Sequence, residues 1–210
     1  REGGLSFKVD VRDGQKTGFY LDQRENRRAA ARWLRGPRVL DCFCYTGAFS
    51  VYAAAEGAEE VIGIDSSAEA VSLAGENARL NGFEARCRFE QGNVFEKLRE
   101  YDRRAEKFDA VILDPPAFGK SRKSVPGAAK GYKEINLRAM KILKPGGVLV
   151  TCTCSHHVKQ DIFHDLIYSA SLDAHRRLRL LYQGGQALDH PVILGIPETA
   201  YLRCLIFRVE

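Results

Sequence analysis

The chain has 210 residues, 45% hydrophobic and 28% charged, with a formal net charge of +5 and a pI near 8.9. That length can bury one full core. The absence of a membrane-length apolar run and of an opening signal-peptide pattern argues against membrane-spanning and secreted classes, while mild basicity admits a nucleic-acid partner without requiring one. The first residue is Arg1 and the chain starts on a strand-like segment, so a longer parent protein is expected. The six cysteines, Cys42, Cys44, Cys87, Cys152, Cys154 and Cys204, are expected as free thiols in a reducing cytoplasmic setting. Two C-x-C pairs invite a metal reading, but there is no C-x-x-C and no His at ligand spacing around Cys42 and Cys44, so no metal site is assigned.

Residues 5–11 alternate apolar and polar, Asp13-Gly14 is a hairpin turn signal, and Gly18 to Leu21 would return, giving a β-hairpin appendage over 1–23. Asp22 can cap an arginine-rich helix over 24–34, closed by Gly36-Pro37. From Arg38 strands at 38–42, 60–65, 85–91, 108–113 and 147–153 alternate with helices at 48–57, 67–80, 93–104 and 128–143. Ser66-x-x-Glu69 reads as a capping box and Asn81-Gly82 as a helix stop. Lys144-Pro145-Gly146-Gly147 is the turn into the fifth strand. A helix over 157–171 and strands at 177–183 and 201–209 finish the chain. The expected fold is α/β: a Rossmann-like, seven-stranded, mostly parallel sheet with helices on both faces, over residues 24–210. The right-handed crossover puts all strand C-terminal ends, and the functional loops, along one edge. The last two strands share a helix-free loop, which suits an antiparallel final strand.

Three stretches on that edge carry chemistry. The first is V-L-D-C-F-C-Y-T-G-A-F-S-V (39–51), a strand that turns tightly into a helix, with Asp65 closing the next apolar run eighteen residues after Gly47. A glycine turn lets backbone approach a ligand, and a strand-end carboxylate can take two ribose hydroxyls. The turn is not G-x-G-x-x-G, which weakens a dinucleotide reading. Its D-x-F-x-x-x-G pattern resembles the nucleoside pocket of S-adenosylmethionine-dependent methyltransferases; an ordinary βαβ turn is the plain alternative. The second is Asp114-Pro115-Pro116-Ala117-Phe118, a stiff loop presenting one carboxylate that suits the amino group of a flipped base, against a capped strand end with a proline turn. The third is Thr151-Cys152-Thr153-Cys154-Ser155-His156-His157. A thiolate here can add to carbon 6 of a pyrimidine. Alternation puts Cys152 and Cys154 on one face, so spacing does not choose between them. Position favours Cys154, at the strand exit, over Cys152 inside the strand. Buried structural thiols are the alternative for both. His156 and His157 could lower the thiol pKa or be plain surface residues.

The motifs K-T-G-F-Y-L-D-Q-R-E-N-R (16–27), 39–51, L-D-P-P-A-F (113–118), G-Y-K-E-I-N (131–136), T-C-S-H-H (153–157) and D-H-P-V (189–192) occur in this order. Together they resemble the bacterial family of 23S ribosomal RNA large-subunit cytosine-5 methyltransferases, over essentially the whole chain. In that family a PUA domain precedes a hairpin and the methyltransferase domain, so the PUA domain is expected to be missing from this chain. The resemblance implies S-adenosylmethionine as cofactor, 23S ribosomal RNA (protein-free) as partner, and room for a homodimer. It assigns Cys154 as nucleophile; Asp114, on its stiff loop, is read as the catalytic group that holds the base. The implied cofactor residues are Arg24, Asp41, Phe43, Thr46, Gly47, Asp65, Ser66, Asn93, Val94 and Asp114. Asn93 stands where such enzymes often carry Asp, and its carbonyl can still accept from the adenine amino group. No cysteine follows the prolines of D-P-P-A, so the base that removes the proton from carbon 5 has no assigned residue.

The implied substrate residues are Pro115, Phe118, Lys120, Arg122, Lys123 and Lys130. The stretch 118–133 holds five cations and no acid beside aromatic rings, as single-stranded RNA contact requires; a solvated loop is its alternative. Arg24, Arg27 and Arg28 form a second cluster, read either as a charged helix face or, for Gln23 and Arg24, as closing over the cofactor. Asp189-His190-Pro191 is a turn signal on the substrate side without a stated role. Two rival readings stand: an exocyclic-amino methyltransferase of adenine or guanine using D-P-P-A-F, in which Cys154 is dispensable, and a non-catalytic RNA-binding module.

Overall fold

The computed structural model describes residues 1–12, 14, 18–118 and 125–210, with the side chains of 125 and 126 left aside. The strands β1 (Arg38–Cys42), β2 (Glu60–Asp65), β3 (Cys87–Gln91), β4 (Phe108–Leu113), β5 (Leu143–Thr153), β6 (Leu178–Gly184) and β7 (Arg203–Val209) form one sheet in the order β3-β2-β1-β4-β5-β7-β6. The five strands from β3 to β5 run parallel, and β7 is antiparallel to both neighbours. The central strands are buried on both faces, which is why they read as unbroken apolar runs such as Ala110-Val111-Ile112-Leu113. Helices α1 (Arg24–Ala31), α2 (Ala48–Ala55) and α3 (Ala68–Leu80) contribute Ala30, Phe49, Ala53 and Ala78 to the core on one face. Helices α4 (Val94–Arg103), α5 (Val125–Ile142) and α6 (Gln160–Asp173) contribute Leu98, Ile135 and Phe163 on the other.

Two local details differ from expectation. The cap of α3 is Ser67, not Ser66: its hydroxyl accepts from the Ala70 amide at 3.1 Å. The Lys144-Pro145-Gly146-Gly147 turn lies within β5 as a register break, since Phe108 pairs with Leu143 and Ala110 with Val148.

The expected N-terminal hairpin is replaced by an arm without strand pairing among the described residues, with a single bridge between Glu2 and Leu5. Its backbone partners are side chains: Asn81 takes the Ser6 amide at 2.9 Å and Asn77 the Lys8 amide at 2.7 Å. Alternation at 5–11 therefore serves packing of Phe7 on Phe19, 5.1 Å between ring centres, and not a ladder. Asp13 of the proposed turn lies outside the described residues.

The segment between β6 and β7 carries one 3-10 turn, Pro197–Thr199, and exposes aliphatic side chains, Leu188 and Leu194 almost completely. Among the described residues no helix is long and apolar enough to cross a membrane.

Candidate active site

The C-terminal ends of β1, β2, β4 and β5 meet at one edge, as parallel order requires. A cleft there, about 1060 Å³ with its open mouth included, is walled by the turn after β1, by Asp65 and Ser66, by Asp114 to Pro116, by Cys154, and by the arm residues Phe19, Tyr20, Asp22 and Gln23. Phe43 and Tyr45 sit at φ 62° and 47°, conformations rarely tolerated outside glycine, and both residues line the cleft. Gly47, at φ 75°, does not line the cleft. A Cβ there would lie 2.9 Å from Ala74 Cβ and 3.0 Å from the Phe89 ring, so its smallness lets α2 start against α3 and β3.

Asp65 accepts the Tyr45 amide at 2.9 Å and the Ser67 amide at 3.0 Å. It thereby locks the strained turn to the start of α3 while its carboxylate still faces the cleft. Thr46 lines the same wall, and its buried hydroxyl has no partner among the described residues. A strand-end carboxylate, an orphaned hydroxyl and an aromatic ring in one pocket are a donor and acceptor set that fits an adenosine-containing cofactor.

Several expected cofactor residues stand elsewhere. Asp41 is 1% exposed and lies beneath the turn, accepting from the Ser50 hydroxyl at 2.7 Å. Burial is the main cause that pushes its carboxyl up to about 7, partly opposed by the Ser50 hydrogen bond. Asn93 is exposed and caps α4, its carbonyl taking the Phe95 amide at 2.9 Å and the Glu96 amide at 3.4 Å, so this oxygen is spent on the helix. Val94 is in the core. Arg24 turns away from the cleft to bond Asp189 at 3.0 Å, which gives Asp189-His190-Pro191 a role in holding the late loop to α1. Arg27, read as part of a charged face, is 2% exposed and bonds Glu2 through both Nε and Nη2, at 2.8 and 2.7 Å.

The catalytic candidates converge. Cys154 is half-buried in the cleft wall, while Cys152 is fully buried and its thiol is held well above its usual range by its contact with Cys204 and by burial. Asp114 shares the cleft and accepts from Gln23 Nε2 at 2.8 Å; Asn26 Nδ2 in turn donates to Gln23 Oε1 at 2.7 Å, so the carboxylate is oriented from α1. The residue after β5 is held in place because the Thr153 hydroxyl donates to Tyr132 at 2.8 Å and accepts the Ser155 amide at 3.2 Å.

Sequence reasoning left out Tyr20. It lines the cleft with Asp114 and Cys154, and its phenol is pushed up to about 12, chiefly by burial and then by Asp114, Tyr45 and Cys154, so it stays a neutral donor. The T-G-F-Y stretch was the available signal.

Of the expected substrate residues, Pro115 lines the cleft and Lys130 is exposed on α5. Phe118 instead packs on Tyr132, 4.7 Å between ring centres, and on Phe95. Lys133 is paired with Asp173 at 2.7 Å. Lys120, Arg122 and Lys123 lie outside the described residues.

A model of the S-adenosylmethionine-dependent methyltransferase family matches residues 1–194. Ribosomal RNA large subunit methyltransferase I of Aeromonas hydrophila is 48% identical over 209 residues, 99% of this chain and 53% of the relative. The protein of that name from Photobacterium profundum is 46% identical over 203 residues, 96% of this chain and 51% of its own length. Among solved structures, SMU.776, a putative methyltransferase complexed with SAH, superposes with a TM-score of 0.87 at 26% identity, covering 99% of this chain and 54% of that one. The chain spans about half the length of the curated relatives it matches.

Proposed function

Since the chain belongs to the family of S-adenosylmethionine-dependent methyltransferases, we propose that it methylates carbon 5 of a cytosine in large-subunit ribosomal RNA, with Cys154 as the nucleophile. The observation that carries this reading is the presence of Cys154 and Asp114 in one cleft with the Asp65 and Thr46 wall, while Cys152 is sealed in the core. The names of the relatives support ribosomal RNA as the substrate.

Bound cofactor would supply an electrophilic methyl group on a sulfonium and leave as S-adenosylhomocysteine. Asp65 is placed to accept from its ribose hydroxyls, and Phe43 and Thr46 to line its nucleoside. On the substrate side, the Cys154 thiolate adds to carbon 6, and the displaced electron pair makes carbon 5 nucleophilic. Asp114, oriented by Gln23, holds the base at its amino and nitrogen 3 edge. Once carbon 5 has been methylated it loses its proton to a base, and the carbon–sulfur bond breaks to restore the ring and the thiolate. Tyr20, which lines the same cleft and is held neutral, can donate a hydrogen bond within the site. The basic stretch from Lys120 to Lys130 is assigned to phosphates of the same strand.

The test is incubation with methyl-labelled cofactor and protein-free 23S RNA, followed by nucleoside analysis. Label in 5-methylcytidine is expected. Label on an exocyclic amino group of adenine or guanine overturns the carbon-5 assignment, and no incorporation by a folded chain overturns the RNA methyltransferase reading.

A further inference from the structure

A second cavity, about 700 Å³ with its mouth included, opens on the α6 side of β6 and β7 and shares Leu202 with the first. Its position follows from the sheet. β7 is antiparallel, so its first residue, Arg203, pairs with Thr153, the residue before Cys154. The β5 exit and the β7 entry therefore lie side by side at the functional edge, and the two cavities back onto one another.

The chemistry of this second cavity favours an anion. Arg203 lines it, half-buried, and has no carboxylate at ion-pairing distance among the described residues. Its guanidinium donates to two carbonyls, Tyr201 and Ala200, both at 3.3 Å. Five N–H groups on a fork leave donors to spare. His164 lines the cavity too, and its Nε2 is buried with no partner among the described residues. Gln160, the first residue of α6, supplies an amide side chain at the positive end of a 14-residue helix whose N-cap, Lys159, makes no side-chain cap. Burial holds the Arg203 guanidinium below its usual range, opposed from a distance by one acid, Asp161, whose carboxylate accepts the Ile162 amide at 2.9 Å. The remaining wall mixes the apolar side chains of Phe163, Val192 and Leu205 with two glutamine amides, Gln183 and Gln186, the latter donating to the Thr199 carbonyl. A half-buried guanidinium with donors to spare, beside glutamine amides in a partly apolar wall, matches a phosphate group at the end of an extended, partly apolar ligand.

We propose that this cavity binds a phosphodiester of the RNA strand beside the target nucleotide, gripping the backbone while the neighbouring base enters the Cys154 cleft. The proposal rests on the RNA reading above. Extrusion of a base costs unstacking energy, and a backbone anchor one nucleotide away offsets it. Free phosphate has the same chemistry, so the test must separate the two sources.

The measurement is 23S RNA affinity against salt concentration for wild type, Arg203→Gln and Arg203→Lys, with cofactor affinity and thermal melting as controls. Arg203→Gln is expected to weaken RNA binding about tenfold and to make the slope of log K against log salt less negative by about 0.7–0.9, one released counterion. Arg203→Lys should recover most of the slope, and cofactor affinity should not move. In parallel, inorganic phosphate is titrated while the His164 ring resonances are followed. A slope unchanged in Arg203→Gln overturns the site even if wild type binds RNA well. Phosphate shifts at His164 with an unchanged RNA slope assign the cavity to a free anion and overturn the RNA source. A wild-type chain that binds no RNA overturns the RNA reading and this site with it.

Discussion

Cys152 and Cys154 differ by one turn of strand alternation and lie in different worlds. One is sealed against Cys204 with its thiol raised well above the ordinary range, and the other stands half-exposed in the cleft. A thiol that must ionise to attack cannot be the sealed one. Cys154→Ala is therefore expected to abolish carbon-5 methylation with cofactor affinity near wild type, and Cys152→Ala to remain active. RNA with 5-fluorocytosine at the target should form a covalent adduct with wild type only, seen as a denaturation-resistant shift in gel mobility; full methylation by Cys154→Ala sinks the assignment. Asp41 makes a separate prediction about pH. Its folded pKa, about 7, lies above the ordinary carboxyl value of 3.8. The folded state then binds the extra proton, so the contribution is complete below about pH 4 and is lost as pH rises toward 7. Measured against Asp41→Asn, wild-type unfolding free energy should fall by up to about 1.4 kcal/mol per pH unit across that window and level off above it. A flat difference from pH 4 to 8 contradicts the buried carboxyl.

At the scale of elements, β2 and the turn after β1 are joined through one aromatic ring. Phe89 on β3 reaches across the sheet face to where Cβ atoms on Gly47 and Gly63 would stand, and a Cβ on Gly63 would also lie 3.0 Å from Cys44 Sγ. Gly63→Ala must displace the ring or the strand. It is expected to cost about 1–3 kcal/mol in chemical denaturation, with weaker cofactor binding because Asp65 ends the same strand. Stability equal to wild type would show that the ring swings away freely. This pair marks what could be read in advance. V-I-G-I-D announced a buried strand and a strand-end acid as an apolar run closed by a carboxylate, and the D-P-P turn and the T-C-T-C exit pointed to the cleft edge through their place after apolar runs. The close approach of Phe89 was not legible, because it depends on a neighbour 26 residues away in sequence. Asn93 misled for a related reason: a residue that can accept from a ligand is equally a helix cap, and two unpaired amides at the start of α4 are nearer. Arg27 read as surface because arginine is rarely buried without a partner, and the partner, Glu2, lay in a segment expected to pair as a hairpin.

Across the whole molecule, the arm is what turns an open sheet edge into a cleft. Phe19, Tyr20, Asp22 and Gln23 form the wall opposite the β1 turn, where the Tyr20 and Tyr45 rings meet edge to face at 5.2 Å. That wall is held by Arg27, which donates to the Tyr20 carbonyl at 3.0 Å, lies over the Phe19 ring at 4.7 Å and pairs with Glu2. The ion pair is buried on both sides, so the attraction largely offsets desolvation and its net worth is small; removing one partner leaves the other charged and unpaired in the core. Glu2→Leu is thus expected to cost about 3–5 kcal/mol in urea denaturation and to loosen the wall, seen as weaker cofactor binding by calorimetry. Glu2→Leu combined with Arg27→Met should regain most of the stability, since no charge is then stranded, but less of the cofactor affinity, since the Tyr20 carbonyl loses its donor. If Glu2→Leu alone is as stable as wild type, the arm is a loosely laid appendage. If the double variant restores affinity in full, Arg27 serves the core and the cleft wall stands without it.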